Sequence, residues 1–410
     1  MVSVLVQGPA MRGPLWSSLG AMPAAARDRV NAFLDQWETR GVRSWGDGWW
    51  VLQDQVADRI ATVLGVPRGT VSMHQNVAVA QEMILSCFQF TKPRNRLVYA
   101  DRNFPSDQYI HEARARLGAE LVRVPAASDG ISTDAQRICD AIDDRTLIVA
   151  IDHVMFRSSA IVDVAPIVQK ARKHGAIVIL DVFHSVGTLP LRLHELGVHA
   201  AIGGALKWLC GGPGNCFLYV DPDLTRTLQP TFTGWAAHKQ PFAFSPAGQD
   251  YRDDGQRFAT GTPNVPALAS GIEGVKTILE VTLPVIREKS RRQTALLVEE
   301  AQRAGLAVKS PLAGERRGER FRYRSLERDV LGYASILQTL AASGRVDAEG
   351  FVHDRDWWNA TLDHAFPDGP HRLWKAFHDS VINTPDLIVT LADGYCLGQI
   401  GRASCRERVS

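Results

Sequence analysis

The residues best suited to chemistry fall in one stretch, Ile179–Gly214, ILDVFHSVGTLPLRLHELGVHAAIGGALKWLCGGPG. Asp181 closes an apolar run, His184 follows three residues later, and Lys207 lies 26 residues beyond Asp181. Small residues frame the lysine: Gly203-Gly204-Ala205 precede it and Gly211-Gly212-Pro213-Gly214 follow. A lysine set among apolar and glycine residues is desolvated, and burial disfavours its charged form and frees a nucleophilic amine. A Schiff-base lysine needs that property. A carboxylate at a strand end is the usual partner of the pyridinium nitrogen of pyridoxal phosphate. Taken singly, such an aspartate is more often a helix cap and such a lysine a surface chain. Their order and spacing favour catalysis, with Lys207 and Asp181 as the catalytic pair.

Elements able to position these groups are readable on both sides. Short runs rich in β-branched residues, RLVYA (96–100), ELVRVP (120–125), LIVAID (147–152) and AIVILD (176–181), alternate with helical segments such as APIVQKARKHG (165–175). Alternating strands and helices predict an α/β fold around a mostly parallel sheet covered on both faces. Ligands then gather at the carboxyl ends of the strands. That rule singles out His74, Asp101–Asp107, Asp152–His153 and Asp181–His184. The spacing also predicts helices within 21–40 and ending near Gly65, and a long helix over 265–304 broken near Pro284. Trp45, Trp49 and Trp50 fit core or dimer packing better than a substrate mouth.

Composition removes other classes. The 410 residues are 45% apolar and 22% charged, which is globular rather than disordered. Lys plus Arg number 46 against 44 Asp plus Glu, so net charge gives no case for nucleic acid or an anionic membrane. Six cysteines are too sparse for a disulfide scaffold, and their spacing matches no zinc pair, so no metal is expected. The opening MVSVLVQGPAMRGP does not read as a secretory signal and no apolar run reaches 18 residues, so a cytoplasmic protein is expected. His194-Glu195-Leu196-Gly197-Val198-His199 has one residue too many for a zincin helix, and no G-x-S-x-G or G-x-G-x-x-G frame occurs.

The Asp181–Lys207 stretch resembles the cofactor-lysine region of class V aminotransferase-like, fold-type I pyridoxal-phosphate enzymes, and within them the kynureninase-like branch. Asn103-Phe104-Pro105-Ser106-Asp107-Gln108-Tyr109 is similar to that branch's F-P-S-D-x-Y element, and Val71-Ser72-Met73-His74-Gln75-Asn76-Val77 to its phosphate-binding turn. Gly234-Trp235-Ala236-Ala237-His238 is similar to its G-W-x-x-H element, and Ser18-Leu19-Gly20 to an N-terminal S-L-G turn. The resemblance spans about residues 15–318. It implies the cofactor pyridoxal 5'-phosphate, with Met73 and His74 at its phosphate, Phe104 on its ring, and Ser106, Asp107, Asp181 and His184 on its polar atoms. It further implies Lys207 as the Schiff-base residue, and Trp235 reaching the phosphate from a partner subunit, hence a homodimer acting on a small-molecule amino-acid substrate. Leu206 stands where the branch usually has tyrosine. Thr262, in Gly261-Thr262-Pro263-Asn264, stands where kynureninases place a substrate-contacting asparagine. Three activities therefore stay open: kynureninase-like hydrolysis of a Cβ–Cγ bond, a class V transaminase or β-eliminating lyase, and a cofactor-binding chain that does not turn over.

The expected organisation is an N-terminal arm (1–45), a large cofactor-binding α/β domain (46–264), a connecting helix with the start of a small domain (265–318), an atypical segment (319–399) and a tail (400–410). The texture changes from about Glu315, where GERRGERFRYRSLERD is dense in arginine. No arginine motif of the class V small domain follows. Residues 320–399 instead resemble a fragment of an alkaline-phosphatase-superfamily protein, and 400–409 a translated sequencing adapter, so the expected small domain is incomplete.

Overall fold

In the computed structural model, residues 19–127, 132–156, 159–303, 320–321, 333–348 and 350–363 are described. The stretch around Glu315, most of 319–399 and the tail lie outside them. The chain divides between Arg291 and Arg292 into two units.

In the first unit, α1 (Ala26–Arg40) and α2 (Trp49–Leu64) precede β1 (Val71–His74). Then follow α3 (Val77–Leu85), β2 (Arg96–Ala100), α4 (Pro105–Arg114), β3 (Glu120–Val124), α5 (Ala135–Asp140), β4 (Thr146–Asp152), α6 (Ala165–Lys173) and β5 (Ile177–Asp181). β6 (Ala200–Gly204), β7 (Cys216–Val220), α7 (Pro222–Thr225), α8 (Val265–Val281) and α9 (Leu283–Arg303) complete the order. α9 runs across the division. The break expected near Pro284 falls at Thr282, whose φ of 71° ends α8.

The seven strands form one mixed sheet in the order β1-β7-β6-β5-β4-β2-β3. β2 to β6 run parallel, while β7 pairs antiparallel with both β1 and β6. The four strands expected from β-branched runs are all present. Central parallel strands are covered on both faces, so they read as unbroken apolar runs. Met83 and Ile84 of α3 close over Leu97, Ile148, Ile179, Ile202 and Leu218 from the sheet. Each such side chain, buried fully, contributes about 1.5–3 kcal/mol.

Helix ends follow local chemistry. Asn76 caps α3 by accepting the Val79 N–H at 2.9 Å, which satisfies one of the first-turn donors. Gly65 stops α2 in the left-handed region at φ 66°, where a side chain would be strained. Trp49 is buried, and Trp50 stacks on Trp235 with ring centroids 5.2 Å apart, so this cluster packs internally.

In the second unit, β8 (Arg320–Phe321) pairs antiparallel with β9 (Val352–His353), flanked by α10 (Ala334–Ala342) and α11 (Asp354–Thr361). Tyr333, Leu340, Val352 and Trp357 make a small core of its own. Among the described residues no helix is long and apolar enough to cross a membrane.

Candidate active site

Parallel pairing of β4 with β5 sets Asp152 directly beside Asp181 at the carboxyl ends of the two strands. Both side chains are buried. Asp181 Oδ1 accepts the Phe183 N–H at 2.6 Å, so the turn after β5 orients it. Asp152 Oδ2 accepts the Phe104 N–H at 2.8 Å. Asp107 enters from the first turn of α4, where Pro105 presets the helical backbone. The three carboxyls each offer an oxygen within 4.8 Å of the others. Beneath them is a small cavity that Gln81, Asn103 and His111 also line.

Like charges this close in a dry site cannot all persist. Burial, then the charges of Asp181 and Asp152, holds Asp107 well above the carboxylate range. Burial, then the Asp181 charge, does the same to Asp152. Asp181 rises only to about 6, because the Phe183 N–H, Asp107 and Lys207 offset its burial. The single negative charge therefore belongs on Asp181.

Lys207 sits in the loop joining β6 to β7, and β6 pairs with β5. This adjacency returns a residue 26 positions later to the strand end that carries Asp181. Burial pushes the Lys207 amine down to about 8, against the pull of Asp181. Its Nζ lies 2.5 Å from His184 Nε2 and 5.0 Å from the Phe183 ring centroid. Burial, then the Lys207 charge, pushes His184 down to about 3, so its neutral ring accepts the Lys207 N–H through Nε2.

Glycines from separate segments hold the backbone of this loop. A Cβ on Gly20 would overlap the Lys207 carbonyl, and one on Gly274 the carbonyls of Leu209 and Cys210. A Cβ on Gly187 would come within 2.9 Å of the Trp208 carbonyl. The Gly20 N–H donates to the Leu206 carbonyl at 2.8 Å, which ties the arm to the residue before the lysine.

The residues named from sequence gather in two groups. Asp107, Asp181, His184 and Lys207 come together, with Phe104 beside them, 6.5 Å from the His184 ring and 39% exposed. Ser106 is on the exposed side of the α4 start. Met73, His74 and Thr262 line a separate cleft with Gln75, Gly261 and Asn264. His74 Nε2 is 2.9 Å from Ser72 Oγ, and burial pushes this imidazole down to about 4. Trp235 Nε1 borders the same loop, 3.6 Å from where a Gly261 Cβ would stand, and its ring packs on Trp50, Phe242 and Phe244. Sequence reasoning noted Asp152 as a strand end but did not place it in the site. Gln81, Asn103 and His111 gave no signal of their own.

The aminotransferase class-V family profile matches residues 22–313. The kynureninase of Burkholderia pseudomallei strain 1106a is 30% identical over 341 residues, covering 80% of this chain and 79% of that protein. The fold is similar to a C-DES mutant with glycine covalently linked to its pyridoxal-phosphate cofactor, with a TM-score of 0.64, 18% identity, and coverage of 83% of this chain and 91% of that one. It is also similar to the cysteine desulfurase CsdA of Escherichia coli, with a TM-score of 0.61, 16% identity, and coverage of 80% and 81%.

Proposed function

The chain belongs to the class-V aminotransferase family, a pyridoxal-phosphate-dependent enzyme family acting on amino acids, and from that premise we propose that it hydrolyses a Cβ–Cγ bond in the kynureninase manner. The residues fit the cofactor. Both Asp107 oxygens lack a protein partner, Asp181 is a buried anion at a strand end, and the Phe104 ring is part open. When bound, pyridoxal phosphate supplies an aldehyde for amine exchange and an electron-withdrawing ring.

The observation that carries the reading is Lys207, a buried amine poised near neutrality against a neutral His184. It would hold the cofactor covalently and, once released, move the substrate Cα proton, a task matched to a pKa near the working pH. His184 Nε2 orients this amine and cannot compete for its proton. Asp181 would keep a proton on the ring nitrogen, and Phe104 would cover the ring. Met73, His74 and Thr262 line the cleft assigned to the phosphate, beside the first turn of α3, whose N–H groups favour an anion. The overall reaction adds water to a side-chain carbonyl and releases an amino acid and an acid.

A second reading, a class V transaminase or β-eliminating lyase, is favoured by Leu206, whose aliphatic side chain gives the phosphate no hydrogen bond where the kynureninase-like branch has tyrosine. Product analysis with kynurenine and 3-hydroxykynurenine decides between them. Alanine and the matching aminobenzoate are expected. A keto acid with no carbon–carbon cleavage would establish the second reading, and no product with either substrate would leave a cofactor-binding chain without turnover. The reading includes a cytoplasmic homodimer. Exposed Phe242 and Phe244 around Trp235 offer apolar surface for a second copy, and Cys87, Cys139, Cys210 and Cys216 are free thiols.

A further inference from the structure

Among the protein's own side chains, acceptors outnumber donors under the site. The cavity below Asp181 is lined by five buried oxygens with no donor: Asp107 Oδ1 and Oδ2, Asp152 Oδ1, Asn103 Oδ1 and Gln81 Oε1. The amide nitrogens of the same side chains are spent elsewhere. Asn103 Nδ2 donates to the Ala150 carbonyl at 3.0 Å, and Gln81 Nε2 to His111 Nε2 at 2.7 Å. The remaining donor is His111 Nδ1–H. A buried acceptor without a donor costs about 1–3 kcal/mol, more if charged, so protonating an acid that faces these acceptors removes a charge and adds a donor at once.

We propose that Asp152 is a positioning residue of this site and stands as a neutral carboxylic acid, its Oδ2 holding the Phe104 peptide and its Oδ1–H donating to the acceptors of the cavity. It rests on the assignment of Asp181 to the cofactor ring. The Phe104 N–H and the Lys207 charge favour an ionised Asp152, but its burial beside Asp181 outweighs them. Asp181, paired beside it on β5, repels a second charge, Asp107 on α4 is itself held neutral, and His111 on α4 stays neutral. Lys207 spends its Nζ contact on His184, and Gln81 and Asn103 present acceptors. Asp181 is the better anion, having the shorter N–H bond and the lysine. A proton on Asp152 thus confines the site's negative charge to Asp181 and fixes the residue that carries the Phe104 ring. A buried acid kept neutral so that it can donate is an established device in other active sites.

The test uses the holoenzyme and the variants Asp152→Asn and Asp152→Ala, read by infrared difference spectroscopy, cofactor affinity and visible circular dichroism. An amide keeps both the acceptor for Phe104 and a donor. Asp152→Asn should therefore delete one protonated-carboxyl stretch and hold cofactor affinity within about twofold, whereas Asp152→Ala should weaken it by about tenfold and alter the dichroism. Loss of an ionised-carboxylate band in Asp152→Asn would overturn the proposal, as would Asn and Ala variants equally impaired. A stoichiometric divalent cation that disappears with Asp152 would also overturn it, because the acceptors would then have a metal rather than a proton. If the Ala variant does not fold, the infrared spectrum of the Asn variant decides alone. Asp181→Asn run in parallel separates the two assignments: an unchanged cofactor absorption there sinks the role of Asp181 and leaves the Asp152 band as its own result.

Discussion

Acetylation of the apoenzyme as a function of pH should find Lys207 apart from every solvated lysine. Burial takes its amine from 10.5 to about 8. That difference makes the neutral, reactive form about 300-fold more abundant at pH 7 than on an unperturbed lysine. The charge of Asp181 acts against burial, so the value is a balance. Asp181→Asn removes that opposing charge and should move the half-point further down. The variant's lysine then reacts faster at pH 7 than the wild type's, the opposite of what simple damage to a site would give. Competitive labelling with mass spectrometry of the peptide containing Lys207 measures both half-points, with Lys170 and Lys173 on α6 as internal references. A wild-type half-point near 10.5 would refute the burial argument. An upward shift in Asp181→Asn would refute the claimed direction of the electrostatics.

Lys207→Ala should abolish the borohydride-fixable link to the cofactor and lower turnover by about 10³-fold or more, with the fold intact by circular dichroism; unchanged absorbance and activity would show that the amine lies elsewhere. Gly20→Ala inserts a Cβ into the Lys207 carbonyl, so it should cost about 1–3 kcal/mol in denaturant unfolding and return the Lys207 half-point toward 10.5. A neutral outcome on both counts would mean that the arm does not brace the loop. His111, pushed from 6.5 to about 3 by burial and then Arg114, stays unprotonated in the folded chain while the unfolded chain takes up a proton below pH 6.5. The wild type should therefore lose about 1.4 kcal/mol per pH unit relative to His111→Gln between about pH 6 and 4, and a pH-independent difference in unfolding free energy would contradict this.

The strands that carry the chemistry were legible because they are buried on both faces, and the hidden ones were hidden for equally physical reasons. β6 reads AAIGG, with little β propensity, because the rings of Phe217 and Phe183 occupy the space that side chains at Gly203 and Gly204 would need. The small-residue run before Lys207 is therefore the strand that returns it to Asp181. The expected Trp235 role at a partner's phosphate could not foretell its ring packing on Trp50 in its own chain, since residues 185 positions apart carry no periodic signal. The carboxyl cluster falls between these cases. LIVAID and AIVILD are apolar runs of equal length, and each closes on aspartate. In adjacent parallel strands of equal extent those two side chains must meet, and slipping one strand by a single residue would send its carboxylate to the opposite face. Composition alone does not say that β4 and β5 are neighbours. Once the sheet order is known, Asp152↔Asp181 follows from the two matching endings. Asp107 then completes the group because Pro105 starts α4 directly over those strand ends, with Phe104 tied to Asp152 through its peptide N–H.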